Sequence, residues 1–233
     1  MRHSRLAIYA GVLVLVVLAG CHKGYAPNIN PDNFVAGVSN PFFPLQAGKV
    51  FTYRSATAQD TEMDYVIITP DTKVAMGVTC MVVLDTVLLN GSLTEKTYDW
   101  YAQDKDGNVW YFGEDAKQYE NGQVVGTEGS WEGGKNGAQP GIIMEALPAV
   151  GDSYRQEYSK GVAEDMAKVL SLTDSASVPY GTYHNVLRTK DYSPLEPAVV
   201  EEKYYAREVG LVLTTKVQGG SDRSELIGIA PGR

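Results

Sequence analysis

The alternation of apolar and polar residues with period two, which runs through most of the chain after residue 48, constrains the fold most. Such alternation places apolar side chains on one face of an extended strand. Turn sequences such as Asn90-Gly91 and Asn121-Gly122 separate the alternating segments. The pattern predicts strands at 49–55, 61–68, 78–89, 93–103, 109–113, 123–126, 154–159, 166–172, 183–190, 199–207, 211–217 and 224–229.

These strands predict an all-β, mainly antiparallel domain over residues 41–233, a length suited to one large domain. The expected form is a single large curved sheet or half-open barrel with a loop or short helix across it, and a two-sheet β-sandwich is the alternative. Residues 161–172 also show helical spacing, but they continue into a strand-like sequence, so a strand is favoured. Five glycines and a proline predict a loop over Gly129–Ile143.

The N-terminal residues 1–20 have the pattern of a signal peptide. Arg2 and Arg5 precede the apolar run Leu6–Leu18, and Leu-Ala-Gly-Cys then resembles a bacterial lipobox. This resemblance implies that Cys21 carries fatty acyl chains, which would be the contact of the chain with a membrane. Residues 21–40 are rich in Asn, Pro and Gly and are predicted to be a tether. We therefore expect a lipid-anchored protein of the bacterial cell envelope, on the outer membrane if the host is a diderm.

Composition excludes several classes of function. The formal charge is −8, and loss of the two arginines of residues 1–20 would make it −10, so nucleic acid is not an expected partner. Cys80 is the one thiol besides Cys21, and it reads as a buried apolar residue. His184 follows only His3 and His22, too few for a zinc site or a serine triad. We expect no cofactor and assign no catalytic residue.

The segment Thr97–Asp115 can be read as a calcium loop or as a hairpin. Asp104, Asp106, Asn108 and Asp115 fall at positions 1, 3, 5 and 12 of a calcium loop. Position 6 should be glycine, however, and here it is a β-branched valine that resists the required positive φ. Metal binding by these four residues therefore stays a weak alternative, and the hairpin is favoured.

A hairpin with the turn 105–107 pairs Asp104 with Asn108. Trp100 would then lie opposite Phe112, and Ala102 opposite Trp110, which collects the apolar residues on one face. The opposite face and a tryptophan of the glycine-rich loop are the candidate ligand-binding residues, because aromatic rings and polar groups together suit a sugar or a hydrophobic ligand. These residues are Asp99, Tyr101, Gln103, Tyr111 and Trp131.

Several longer motifs resemble those of a widespread group of bacterial secreted proteins and lipoproteins to which no activity is assigned. They are DWYAQDKDGNVWYFGED, GSWEGGKNGAQPGIIM, GDSYRQEY, VPYGTYHNVLRTKDYSPLEP and EEKYYAREVGLV, within the range Asn40–Ile229. The chain departs from the usual pattern at Glu145 and at Arg207-Glu208. The VPYGTY and KYYAREVGLV elements also resemble those of half-barrel lipoprotein carriers, which is an analogy of fold alone.

Two functions follow as expectations. The first is a non-catalytic envelope module that binds a ligand or partner in the concave face of the sheet. The second is a carboxylate-dependent enzyme or binder that acts on envelope glycans. The first is favoured because the scarce His and Cys residues assemble no catalytic group.

Overall fold

The computed structural model describes residues 24–56 and 60–231, so the lipidation predicted for Cys21 lies outside the described residues. A 3₁₀ helix covers Pro31–Asn33, and none of the described helices is long and apolar enough to span a membrane. The strands of the described residues are β1 (Phe34–Val35), β2 (Lys49–Ala56), β3 (Thr61–Ala75), β4 (Val78–Leu89), β5 (Ser92–Asp104), β6 (Val109–Glu120), β7 (Gln123–Gly126), β8 (Trp131–Glu132), β9 (Gln139–Met144), β10 (Ser153–Arg155), β11 (Glu157–Tyr158), β12 (Met166–Val178), β13 (Gly181–Tyr192), β14 (Val200–Ala206), β15 (Gly210–Gln218) and β16 (Arg223–Pro231).

The strands form one antiparallel sheet that curves into a nearly closed barrel. Its order is β10-β12-β13-β14-β15-β16-β2-β3-β4-β5-β6-β9-β11. Most neighbours in the sheet are neighbours in sequence, which is the outcome of short turns between alternating segments. The fold class predicted from the sequence is confirmed, and the segment at 161–172 contributes to strand β12 rather than to a helix.

One short segment brings the two edges of the sheet together. Ser153–Arg155 pairs with β12, while Glu157–Tyr158, two residues on, pairs with β9 at the other edge. The loop prediction for Gly129–Ile143 was wrong for its last five residues, which belong to β9, and for the short strand β8. Gly141, one of the glycines on which the loop prediction was based, allows close packing instead. A Cβ at this position would lie 2.4–2.5 Å from backbone atoms of Ser153–Tyr158, which we call the closing segment.

One end of the barrel is covered by residues 38–45. The Asn40 side chain donates to the carbonyls of Gly107 and Glu145, and Glu208 N–H donates to Pro41 O. We call this the covered end, and the end near Ser55 and the β15–β16 turn the far end. Part of the segment predicted as a tether also binds the barrel, because β1 pairs with the last residues of β5.

The apolar core has an inner and an outer part. Inside the barrel, near the covered end, buried side chains include Phe51, Ile68, Val83 and Leu187. Outside, the N-terminal residues Ile29 and Phe34 pack over a cluster that holds Trp100, Ala102 and Phe112. Both faces of this part of the sheet are therefore covered, which explains the apolar runs MVVL of β4 and VWYF of β6.

Candidate functional site

The β5–β6 hairpin forms as the sequence predicts, with one difference in register. Asp104 N–H donates to Asn108 O at 2.9 Å, and Ala102 pairs with Trp110. The predicted pairing of Trp100 with Phe112 was wrong, because a bulge places Trp100 opposite Gly113. Gly113 has φ of 135° and lies so close to β8 that only glycine fits, which accounts for the bulge.

The first acid of this turn, Asp104, forms its hydrogen bonds within the hairpin. The Asp104 carboxylate accepts from Asn108 N–H, Asn108 Nδ2 and Trp110 Nε1, at 2.8–2.9 Å. Asp106 is exposed in the turn, and Asp115 lies on β6 opposite Tyr98. No group of three His, Cys, Asp or Glu side chains within residues 24–56 and 60–231 is arranged to hold a metal ion.

The candidate binding residues of β5 and β6 lie on the inner face of the barrel. Tyr101 lines a cavity and stacks on Tyr111, with ring centroids 4.8 Å apart. The Tyr111 hydroxyl donates to Asp99 Oδ1 at 2.5 Å. Gln103 lies deeper and serves the covered end, since its Oε1 accepts from the N–H groups of Ser39 and Asn40.

Trp131 is part of the buried wall beside these tyrosines. Its ring meets Tyr111 edge-on at 5.4 Å, and its indole Nε1–H donates to Glu157 Oε2 at 2.9 Å. Glu157 belongs to β11, in the segment that closes the barrel. The indole N–H of Trp131 is thus hydrogen-bonded within the protein, and its ring packs against Ala138 and Ala163.

The cavity that Tyr101 lines has a volume of about 270 Å³ and lies inside the barrel. Its wall toward the covered end is apolar and includes Phe43, Leu45, Phe51, Ile68, Val83 and Leu211. A volume of this size is at the lower limit for small-molecule sites, which are mostly apolar with a few convergent polar groups. The cavity therefore has the composition expected for a small ligand.

Three carboxyl groups from neighbouring strands line the same cavity: Asp64 of β3, Asp85 of β4 and Asp99 of β5. The register explains why they share a face, since Asp85 lies opposite Val66 and Asp99 lies opposite Val83. Asp64 and Asp85 were not among the residues predicted from the sequence. Their position could have been inferred from the alternation, because Asp64 lies on the same strand face as Ile68, and Asp85 on the same face as Val83.

Burial raises the pKa values of these acids. Desolvation raises the pKa of Asp64 to about 10, and the neighbouring Asp85 carboxyl adds to the shift. The pKa of Asp85 is also raised by burial. For Asp99 burial raises the pKa to about 7, against a lowering by the hydrogen bond from Tyr111. Since a charged carboxylate is costly in an apolar interior, the cavity holds protons at neutral pH.

Two further acids with raised pKa values lie on β6 and β11. Burial and the charge of Asp99 raise the pKa of Glu114 to about 9. Burial and the charge of Asp165 raise the pKa of Glu157 to about 7. Both also line a second cavity of about 340 Å³, which shares Lys203 with the first. The Lys203 Nζ lies 3.1 Å from Asp191 Oδ2, so this cation already has a partner.

Comparisons with known proteins give a distant likeness of structure. No protein-family model matches the sequence, and no curated protein matches it. One similar solved structure is a Bacteroides fragilis protein described as exported, with a YmcC-like fold; it is 15% identical, and the match covers 81% of this chain and 98% of that chain at a TM-score of 0.46. Another is a Parabacteroides distasonis protein described as a lipoprotein; it is 14% identical, with 82% and 99% covered at a TM-score of 0.35.

One of these two proteins is described as exported and the other as a lipoprotein, and the group that the sequence motifs resemble also consists of secreted proteins and lipoproteins. With TM-scores below 0.5, they carry no argument about the activity of this chain. The motif resemblance itself stays a prediction, since no family model matches.

Proposed function

We propose that this chain is a lipid-anchored protein of a bacterial envelope that binds a small ligand inside its barrel without transforming it. The single observation that carries the proposal is the interior cavity of about 270 Å³, with an apolar wall at the covered end and carboxyl groups beside it. Apolar surface gives a ligand most of its binding free energy, and a few polar groups fix its orientation.

The anchor is supported by the N-terminal sequence, in which Arg2 and Arg5, an apolar run and Leu-Ala-Gly-Cys stand in the order of a lipoprotein signal peptide. Mass spectrometry of the N-terminal peptide tests it. The expected result is an N-terminus at Cys21 that carries the mass of acyl chains, and a Cys21→Ser variant that leaves the membrane fraction. A chain that stays uncleaved and unmodified would contradict the anchor.

The cavity is tested by filling it. Val66 lines the cavity, and Val74 lies on the same strand with its side chain 62% exposed. Phenylalanine at 66 is expected to occupy the ligand volume, while phenylalanine at 74 adds the same bulk outside the barrel. Native mass spectrometry of protein purified from host membranes should show a bound small molecule in wild type and Val74→Phe, and none in Val66→Phe. Equal occupancy of both variants would refute binding in this cavity.

A glycan-directed enzyme is the second candidate, and one observation favours it. Asp99 and Glu114 lie directly opposite each other on β5 and β6, and both pKa values are raised. Two carboxyl groups with separated pKa values are the pattern of glycoside hydrolysis. Incubation with peptidoglycan fragments and capsule polysaccharide tests this activity. Product release by wild type and its loss in Glu114→Gln would establish an enzyme, and release of the same product by Glu114→Gln would exclude this pair.

A further inference from the structure

The cavity contains more acidic groups than cationic groups. Asp64, Asp85 and Asp99 line it, and the one cationic side chain among its lining residues is Lys203. That ammonium group is held at 3.1 Å from Asp191 on the neighbouring strand β13. The three carboxyl groups on the opposite wall therefore lack a cation of their own among the described residues.

Two of these acids each have one buried oxygen without a donor from the rest of the protein. Neither Asp64 Oδ1 nor Asp85 Oδ1 has a donor from another group in the part of the chain that the structure describes. The two carboxyl groups lie close enough to share a proton, which gives the pair one hydrogen bond of its own. A carboxylate can accept several hydrogen bonds, so a ligand that supplies further donors here gains binding free energy.

A third polar group is open to the same cavity. Tyr205 of β14 is 3% exposed and lines the cavity. Among the described residues its hydroxyl does not count as a buried polar atom without a partner, so it reaches the open space of the cavity. There the hydroxyl can donate a hydrogen bond to a ligand or accept one from it.

We propose that the occupant is a small organic cation, a primary amine on an apolar body, with its ammonium group among Asp64, Asp85 and Asp99. This inference rests on the proposed ligand-binding function and names the ligand class. An ammonium group carries three donors and no acceptor, which suits carboxylate oxygens that lack donors. The apolar body would lie against Phe51 and Leu211, toward the covered end.

Other head groups fit the same wall less well. A carboxylate or phosphate would meet three acidic groups, and the one cation of the cavity is already paired. A neutral alcohol supplies one donor and leaves the remaining acceptors as they are. The apolar wall excludes a fully polar sugar, since hydroxyl groups placed against it would lose their hydrogen bonds to water.

Binding of the amine is coupled to loss of a proton. The proton shared by Asp64 and Asp85 leaves to solvent as the ammonium ion enters, so the net charge of the cavity stays constant. Glu62 of β3, Glu95 and Asp99 of β5 and Lys203 of β14 are the other charged groups that face this pair or its cavity. Affinity is expected to rise between pH 6 and pH 9, because proton release becomes easier while the amine stays charged up to about pH 10.

Isothermal titration calorimetry with three six-carbon probes tests the inference: hexylamine, 1-hexanol and hexanoate. The full chain, purified from membranes and held in lipid nanodiscs, is titrated at pH 8 in two buffers of different ionisation enthalpy. We expect hexylamine to bind at least about tenfold more tightly than 1-hexanol, with release of about one proton. Asp85→Asn should lower the affinity for hexylamine about tenfold and leave that for 1-hexanol unchanged.

Controls separate a folding defect from a binding defect. Asp71→Asn, on an exposed position of the same strand as Asp64, should bind all three probes as wild type does. Asp64→Asn provides a second variant of the pair if Asp85→Asn fails to fold. Equal affinity of wild type for hexylamine and 1-hexanol would overturn the amine inference and leave ligand binding intact. Absence of binding by all three probes, with no ligand in native mass spectra, would overturn both proposals.

Discussion

Replacing Asp99 by asparagine should stabilise the protein more at alkaline pH than at acidic pH. Asp99 is buried, with 9% of its surface exposed, and burial raises the pKa of its carboxyl from 3.8 to about 7. A group whose folded-state pKa is raised holds its proton more tightly in the folded state. Its contribution to stability is fully present below pH 3.8 and is lost as the pH rises through 7.

The magnitude follows from these two pKa values. Relative to the fully protonated protein, proton linkage lowers the unfolding free energy by about 2 kcal/mol at pH 5 and by about 4 kcal/mol at pH 8. Asparagine has the shape of the protonated acid and does not titrate, and its side-chain oxygen can still accept the Tyr111 hydroxyl. The stability of Asp99→Asn relative to wild type should therefore increase by about 2–3 kcal/mol between pH 5 and pH 8.

Urea unfolding, followed by tryptophan fluorescence at the two pH values, measures this difference. Asp106→Asn, in the exposed hairpin turn, is the control, and its stability relative to wild type should be the same at pH 5 and pH 8. If the Asp99→Asn difference is also constant, the carboxyl is not desolvated in the folded protein. The description of the cavity as an apolar space with buried acids would then be wrong.

Three further variants test the packing of the barrel. Gly141→Ala should destabilise the protein by about 2 kcal/mol or more, because its Cβ would overlap the backbone of the closing segment, whereas Gly228→Ala has open space around its Cβ and should change little. The midpoints of urea unfolding of the two glycine variants measure this difference. Trp131→Phe should lower the unfolding free energy by about 1–3 kcal/mol in the same assay, since it leaves Glu157 without its indole donor. Wild-type stability of this variant would contradict a stabilising role of that hydrogen bond. Asp104→Ala should lower the melting temperature by removing three hydrogen bonds of the turn, and millimolar calcium should leave the wild-type value unchanged. A calcium-dependent rise would instead favour the metal alternative.

Local sequence was sufficient for most of the strands, though not for β1, β8 and β9, and for most of the β5–β6 hairpin. Alternation and turn residues identify β2 to β6 because neighbouring strands are joined by short turns, and their pairing depends on residues that are close in the chain. The two faces of β5 follow for the same reason. The bulge at Gly113 could not be predicted, since it depends on the approach of β8 from residues 131–132.

The candidate site was recognised in part. Asp99, Tyr101 and Tyr111 share the inner face because they belong to one predicted hairpin. Asp64 and Asp85 were overlooked, since a lone acid in an alternating strand looks the same whether its face meets water or the interior of a barrel. Gln103 lies on the predicted face of β5, but its role differs from the predicted ligand binding, because it binds the segment that covers the end of the barrel.

The sequence by itself determined the all-β class, the presence of the main strands of the meander and the acidic composition, since each depends on local pattern or on a count of residues. The predicted ends of β3, β6 and β12 were wrong, because these strands continue to Ala75, Glu120 and Val178. Tertiary structure decided which face of each strand became interior. It did so through closure by Ser153–Tyr158, a contact between edges that are distant in the sheet. Closure removes Asp64, Asp85 and Asp99 from water together, and this shared desolvation raises their pKa values and gives the cavity its chemistry.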